Sequence, residues 1–287
     1  MRDAIVMWRY TKMVVLVALT GAAYVAILLP FKIATIIPGF TEIRPASGIP
    51  IVCGLLFGPA AAWGSAFGNL VGDIFGGTLT PGSIAGFIGN FLFAYIPYRM
   101  WRVLRGSRPA DGSARQIPYV AACAAVGGVA CAVIIGFGVA AMGLVPYPIL
   151  TIAITLNNAV IGTIVAAILL PILYPLAHSF GLLYQDILDP GDYVSGKIGW
   201  SGMILAAAGS ALGLLVAASV KIATMVSGAA EMPGGLGMVD PQVLVGGMGV
   251  VAIFIGSVLM SPLDTRVPIE PLNGLEHEEP PAGREDA

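Results

Sequence analysis

Apolar residues in this chain come in long unbroken runs, separated by short polar stretches, as far as about residue 262. No Asp, Glu, Lys or Arg occurs between Arg115 and Asp186, and similar gaps run from Lys12 to Lys32, Arg44 to Asp73 and Asp73 to Arg99. Two more lie between Lys197 and Lys221 and between Asp240 and Asp264. Strands of a membrane barrel would alternate apolar and polar positions over about 10 residues. These runs do not alternate and are longer, close to the roughly 20 apolar residues a helix needs to cross a bilayer. The pattern predicts an all-α polytopic membrane protein with helices near residues 13–29, 46–57, 60–76, 83–101, 116–142, 149–177, 200–226 and 242–260. The first is expected to be retained and to end at Pro30. Residues 178–199 form a polar stretch holding Asp186, Asp189, Asp192 and Lys197. The last segment, 263–287, is rich in Pro and Glu and too poor in apolar residues to bury a core, so it is expected to be a disordered acidic cytoplasmic tail.

Basic residues set the orientation. Arg2, Arg9 and Lys12 precede the first helix, and Arg99, Arg102, Arg105, Arg108 and Arg115 cluster after the fourth. Both groups belong on the cytoplasmic side, which requires an even number of crossings between them. A single helix over the gap 45–72 would give three. Gly58-Pro59 falls inside that gap, and proline lacks the N–H that an uninterrupted helix needs. A break there gives four crossings, at the expense of a first segment only about 18 Å long in a core about 30 Å thick. The loop 30–45, the Gly143–Pro148 turn and the Gly/Pro loop carrying Glu231, Pro233 and Asp240 then face outside.

Composition narrows the chemistry. With 57% hydrophobic and 10% charged residues and a net charge of -2, the chain has no basic surface for nucleic acid. Cys53, Cys123 and Cys131 sit singly in apolar runs and His178 and His277 are far apart, so neither a disulfide framework nor a metal site is expected. Gly191, Gly196 and Lys197 have P-loop spacing, but Ile198 stands where Ser or Thr must reach Mg²⁺. Gly72-Asp73 has no second intramembrane Asp with which to share a proton. The expectation is a protein that is not an enzyme and carries no cofactor.

Two patterns remain. Ala18, Ala22 and Ala26 recur every four residues on the first helix, and Gly64, Gly68, Gly72 and Gly76 on the third; such rows let helix backbones approach closely in lipid. The glycine row reads as internal packing, while the alanine row fits packing or docking to a partner membrane protein equally well. Polar groups also lie at membrane depth. Asn69 and Asp73 share a face, Asn90 lies in the fourth helix and Asn157-Asn158 in the sixth, with Glu42 and Arg44 in the external loop. Each amide alone could be interhelical glue, and Glu42–Arg44 could be a local ion pair. Their convergence on one side of the membrane points to an outward-facing pocket. Trp63 and Tyr98 read as interfacial anchors; Tyr95 is left open between anchor and pocket.

The stretch from Glu42 to Tyr98 resembles the substrate-binding (S) subunits of energy-coupling factor (ECF) vitamin transporters. The likeness rests on Phe57-Gly58-Pro59 closing an apolar run, a Gly-rich helix ending in Gly72-Asp73, and Pro81-Gly82 leading into the next helix. Within that family it is most similar to the queuosine-precursor branch. The resemblance implies a six-helix substrate-binding core over 1–178; the polar loop and two extra transmembrane helices over 179–262 depart from the family. The resemblance also implies uptake of a vitamin or related micronutrient from outside, with the first external loop as a lid. Energy would come from a transmembrane coupling subunit and two ATPase subunits, the former docking on Ala18, Ala22 and Ala26. Glu42, Arg44, Asn69, Asp73, Asn90 and Asn157 would line the site, and the protein would sit in the cell membrane with both termini cytoplasmic. The alternative is a stand-alone permease coupled to protons through Asp73.

Overall fold

The computed structural model describes residues 1–31, 35–37, 41–42, 44–193, 198–227 and 240–261, with the side chains of 35–37, 41–42 and 220–227 excepted. The chain is an all-α polytopic membrane protein. Its helices are α1 (Thr11–Phe31), α2 (Gly48–Phe57), α3 (Pro59–Phe75), α4 (Gly82–Arg105) and α5 (Ile117–Ala141). The helix α6 starts as Tyr147–Thr155, passes through a π-helical stretch Leu156–Ile161 and continues as Gly162–Ser179; α7 (Gly199–Ser227) and α8 (Pro241–Leu259) follow. A minimal antiparallel pair, β1 (Thr35–Ile37) with β2 (Thr41–Glu42), sits between α1 and α2. Short turns Asp3–Val6 and Met7–Arg9 precede α1, and Tyr184–Ile187 and Pro190–Tyr193 follow α6. The tail 263–287, the loop residues Glu231 and Pro233, Lys32, and Gly196-Lys197 lie outside the described residues.

A turn at Gly58 separates α2 from α3, where the break was expected. Gly58 has φ 59° and ψ -126°, a conformation open essentially to glycine alone, and Pro59 starts α3 at the position where its missing N–H is harmless. A Cβ at Gly58 would lie 3.1 Å from Tyr184 and 3.2 Å from Tyr98. The turn is therefore at the end of the bundle that carries the arginines. Pro30 does not stop α1 at once: it sits inside the helix, which continues one residue further to Phe31, because a proline in the last turn disrupts only the bonds behind it.

Glycine contacts explain which helices touch. A Cβ at Gly64 would come within 2.6 Å of Thr20 Cβ, at Gly68 within 3.0 Å of Tyr24 Cβ, and at Gly72 within 2.4 Å of Leu28 Cδ2. Three members of the glycine row thus hold α3 against α1; Gly76, the fourth, caps the end of α3. The two last helices pack on each other in the same way: a Cβ at Gly209 would lie 2.6 Å from Gly249 O, and one at Gly256 2.5 Å from Gly202 O. This pair leans on α5 and the start of α6. Gly213 abuts Val133, Gly247 abuts Phe137, and the Tyr147 hydroxyl donates to Gly213 O at 2.9 Å.

The arginine end is closed by a buried polar node. Asp3 and Arg99, both 0% exposed, form an ion pair at 3.5 Å. Tyr95 donates to Asp3 Oδ1 at 2.7 Å and Ser261 donates to the same oxygen at 3.1 Å. Arg99 also donates through Nε to Met260 O at 2.9 Å and through Nη1 to Tyr193 O at 2.9 Å and to Tyr98 Oη at 3.3 Å. Residues from the N-terminal turn, α4, the 178–199 stretch and the end of α8 therefore share one set of hydrogen bonds. Tyr98 is wholly buried there rather than anchored at an interface, and Tyr95 belongs to this node and not to a pocket. The surrounding tyrosines stack edge to face, Tyr98 on Tyr184 and Tyr184 on Tyr193. Trp63 is half-buried nearby and donates to Ala4 O at 2.8 Å.

Candidate functional site

At the opposite end of the bundle α2 is too short to reach the level of its neighbours. With the preceding turn Pro45–Ser47 it spans 13 residues, about 20 Å at 1.5 Å per residue, which leaves roughly 10 Å of a 30 Å hydrocarbon core uncovered. Arg44 sits at the mouth of that gap. The cavity there is lined by Arg44, Asn69, Asp73, Thr78, Ser83 and Gly86 on one side. Ile135 and Val139 of α5 with Leu150 and Ile154 of α6 form the other.

The polar side is a connected network. Arg44 Nη1 donates to Asn69 Oδ1 at 3.1 Å, Asn69 Nδ2 donates to Asp73 Oδ2 at 3.3 Å, and Thr78 Oγ1 donates to Asp73 Oδ1 at 3.3 Å. The backbone N–H of Arg44 donates to Asn157 Oδ1 at 3.2 Å. Asn69 and Asp73 are one turn apart on α3, on the face turned away from the glycine row. Asn157 and its neighbour Asn158 are both buried although adjacent in sequence. Both lie in the π-helical stretch, a distortion often found at functional sites. Asn158 accepts from Ser47 Oγ at 2.8 Å, which ties α6 to the start of α2. Gly86 keeps the α4 wall flat: a Cβ there would lie 2.9 Å from Asn69 Nδ2.

Of the residues singled out in the sequence, Arg44, Asn69, Asp73 and Asn157 are brought together. Asn90 is held one turn further down α4, where it accepts from the Tyr24 hydroxyl at 3.1 Å and donates to Gly86 O at 2.9 Å. It bonds α1 to α4 beneath the cavity floor. The Glu42 side chain lies outside the described residues. Thr78, Thr80 and Ser83 join the cavity without having been singled out. They sit in an ordinary-looking turn around Pro81-Gly82, and only the folding of the α3–α4 connection over Asp73 gives their hydroxyls a role; Ser83 Oγ accepts from the Thr80 N–H at 3.2 Å.

Ala18, Ala22 and Ala26 are elsewhere. All three are exposed, on an open apolar groove between α1 and α3 that Trp8, Val14, Phe67 and Val71 complete. The α7–α8 pair packs on α5 and α6 and leaves this groove uncovered.

A family model described as the QueT transporter matches residues 14–175, more than half of the chain. The chain belongs to the QueT transporter family. That membership agrees with the S-subunit likeness of Glu42–Tyr98 and its queuosine-precursor branch. The QueT match begins in α1 and ends inside α6, so the whole cavity and, apart from Trp8, the alanine groove fall within it, while α7 and α8 fall outside. No curated protein and no solved structure matches the chain. The family is one of transporters, and among the described residues no group of three or more His, Cys, Asp or Glu side chains could hold a metal ion.

Proposed function

We propose that this QueT-family protein is the membrane-embedded substrate-binding subunit of an uptake system for a queuosine precursor, a 7-deazapurine base. A separate transmembrane coupling subunit and two ATPase subunits supply the energy. The observation that carries the reading is the network of half-buried Arg44 with buried Asn69, Asp73 and Asn157 beside the cavity, inside the matched region. Amides and a carboxylate facing an apolar wall suit a polar planar heterocycle, since a few placed polar groups fix orientation while apolar surface supplies contact. The arginine end faces the cytoplasm by the positive-inside rule, so the cavity opens outward, both termini are cytoplasmic and the membrane is the cell membrane.

The exposed alanines favour the groove on α1 as the docking face, because small side chains permit close backbone approach in lipid. Residues 1–178 then act as the binding core and α7–α8 as a buttress on its far side. Titration of the detergent-purified protein with 7-deazaguanine tests the substrate, and saturable binding is the expected result. Alanine at Asp73 or Asn69 abolishes uptake with expression intact. Uptake that survives both changes removes them from the site.

A second reading follows from Asp73, a buried carboxylate at membrane depth: a proton-coupled permease working alone. Uptake that collapses with an uncoupler, in a strain lacking the ATPase subunits, selects it. Co-purification with those subunits selects the first.

A further inference from the structure

The cavity measures about 40 Å³, room for a few waters, and the Arg44 side chain is part of its lining. Four helices form most of its walls. Arg44 is the lining side chain that is both long and carried outside a helix, just ahead of the turn Pro45–Ser47. Its guanidinium is itself a flat group with N–H donors in a fixed fork, and it places one of them on Asn69 Oδ1 at 3.1 Å. Asn69 is in turn bonded to Asp73 at 3.3 Å. A 2-aminopyrimidinone ring edge offers the same pattern, neighbouring N–H donors in a plane, to the same acceptors.

We infer that Arg44 is a tethered stand-in for the substrate: its guanidinium occupies the donor position of the heterocycle and must leave before the base binds. The inference rests on the substrate reading above and turns Arg44 from a contact into a competitor. The rest of the site is built for such an exchange. Gly86 leaves the α4 wall flat beside Asn69, and the aliphatic wall of Ile135, Val139, Leu150 and Ile154 meets a ring face without regard to which planar group is present. The Arg44 backbone, held by Asn157 at 3.2 Å, keeps the side chain close by after displacement, so the site refills when the substrate departs. The ligand class follows from the exchange: planar bases with adjacent ring and exocyclic N–H donors compete, whereas bases that present acceptors along that edge do not.

The test uses the full-length protein in detergent, with 7-deazaguanine and guanidinium chloride as probes. Arg44→Ala is expected to tighten 7-deazaguanine binding by about tenfold, the value of one hydrogen bond to a charged donor. Arg44→Gln, which keeps the length but loses the fork, is expected to tighten it by less. Millimolar guanidinium should compete with 7-deazaguanine in Arg44→Ala and not in the parent protein, and should raise the melting temperature of Arg44→Ala alone. Binding that weakens or stays within twofold in both variants overturns the inference and makes Arg44 a substrate contact or a bystander. If the parent protein and both variants ignore 7-deazaguanine, the substrate reading fails. The guanidinium-dependent rise in melting temperature still decides whether the slot accepts a planar donor, and its absence overturns the stand-in as well.

Discussion

The two ends of this bundle treat buried polarity in opposite ways. At the arginine end, one guanidinium is bonded to carbonyls of Met260 and Tyr193, a phenol and a carboxylate, and that carboxylate is bonded in turn by Tyr95 and Ser261. At the cavity end, a guanidinium, an amide and a carboxylate are joined by bonds of 3.1–3.3 Å, and a second amide holds the arginine's backbone N–H at 3.2 Å, beside a cavity. A charge buried in lipid or protein is tolerated when every donor and acceptor is engaged. The Asp3–Arg99 node leaves neither of its two side chains with a buried polar atom lacking a partner, and it serves as a fastening. The second end borders a cavity, and on the proposed reading it exchanges its bonds with a molecule from outside. Polarity alone does not mark a site; polarity next to a cavity does.

The sharpest way to break the contrast is at the node. Arg99→Met removes one partner of a fully buried pair and is expected to destabilise the protein by about 3–5 kcal/mol, read as a steep fall in melting temperature in detergent. Asp3→Asn keeps the hydrogen bonds to Tyr95 and Ser261 within reach and should lose less. A melting temperature unchanged by Arg99→Met would show that the node fastens nothing. Next in size is Gly256→Leu, which forces a side chain where a Cβ already meets Gly202 O at 2.5 Å. Overpacking of this kind costs about 1–3 kcal/mol, and protease resistance of α7 and α8 should drop while substrate binding persists.

The cavity end should show the reverse profile. Asn69→Ala is expected to shift stability by about 1 kcal/mol and to weaken 7-deazaguanine binding more than tenfold. A variant that loses stability and binding in proportion would erase the distinction between the ends. The smallest effect concerns pH. Tyr10, just ahead of α1, is pushed up to about 12 by burial and by the hydrogen bonds it donates to Asp189 and Asp192. A raised phenol pKa favours the folded state while the unfolded phenol stays protonated, below about 10, and the contribution fades as pH climbs from there to about 12. The melting temperature of Tyr10→Phe should therefore fall less steeply with alkaline pH than that of the parent.

Much of the frame was legible because a membrane makes position informative. The arginines of 99–115 demanded an even number of crossings, and Gly58-Pro59 was the one place a turn could go. Helix ends fell within two residues of expectation along most of the chain for the same reason. The pairing of distant segments was not legible. Tyr98 looks like an interface residue until the 178–199 stretch and the end of α8 fold over it. Asn90 has the composition of a cavity amide, and only the rotation of α4 aims it at Tyr24. The π-helical turn at Leu156–Ile161, which carries the buried Asn157 and Asn158, leaves no mark in composition. Thr78, Thr80 and Ser83 resembled any polar turn. Register and rotation, not residue type, separate these cases.

The node at Arg99 also sets an order of events in biosynthesis. Asp3 and Ser261, 258 positions apart, are hydrogen-bonded to each other. When α4 inserts, Asp3 is already made, but Met260 O and Ser261 are not, and the pair stays under-bonded while α5 to α8 are synthesised. A chain interrupted after α6 would contain the entire cavity and still hold an incompletely satisfied charge at its inner end.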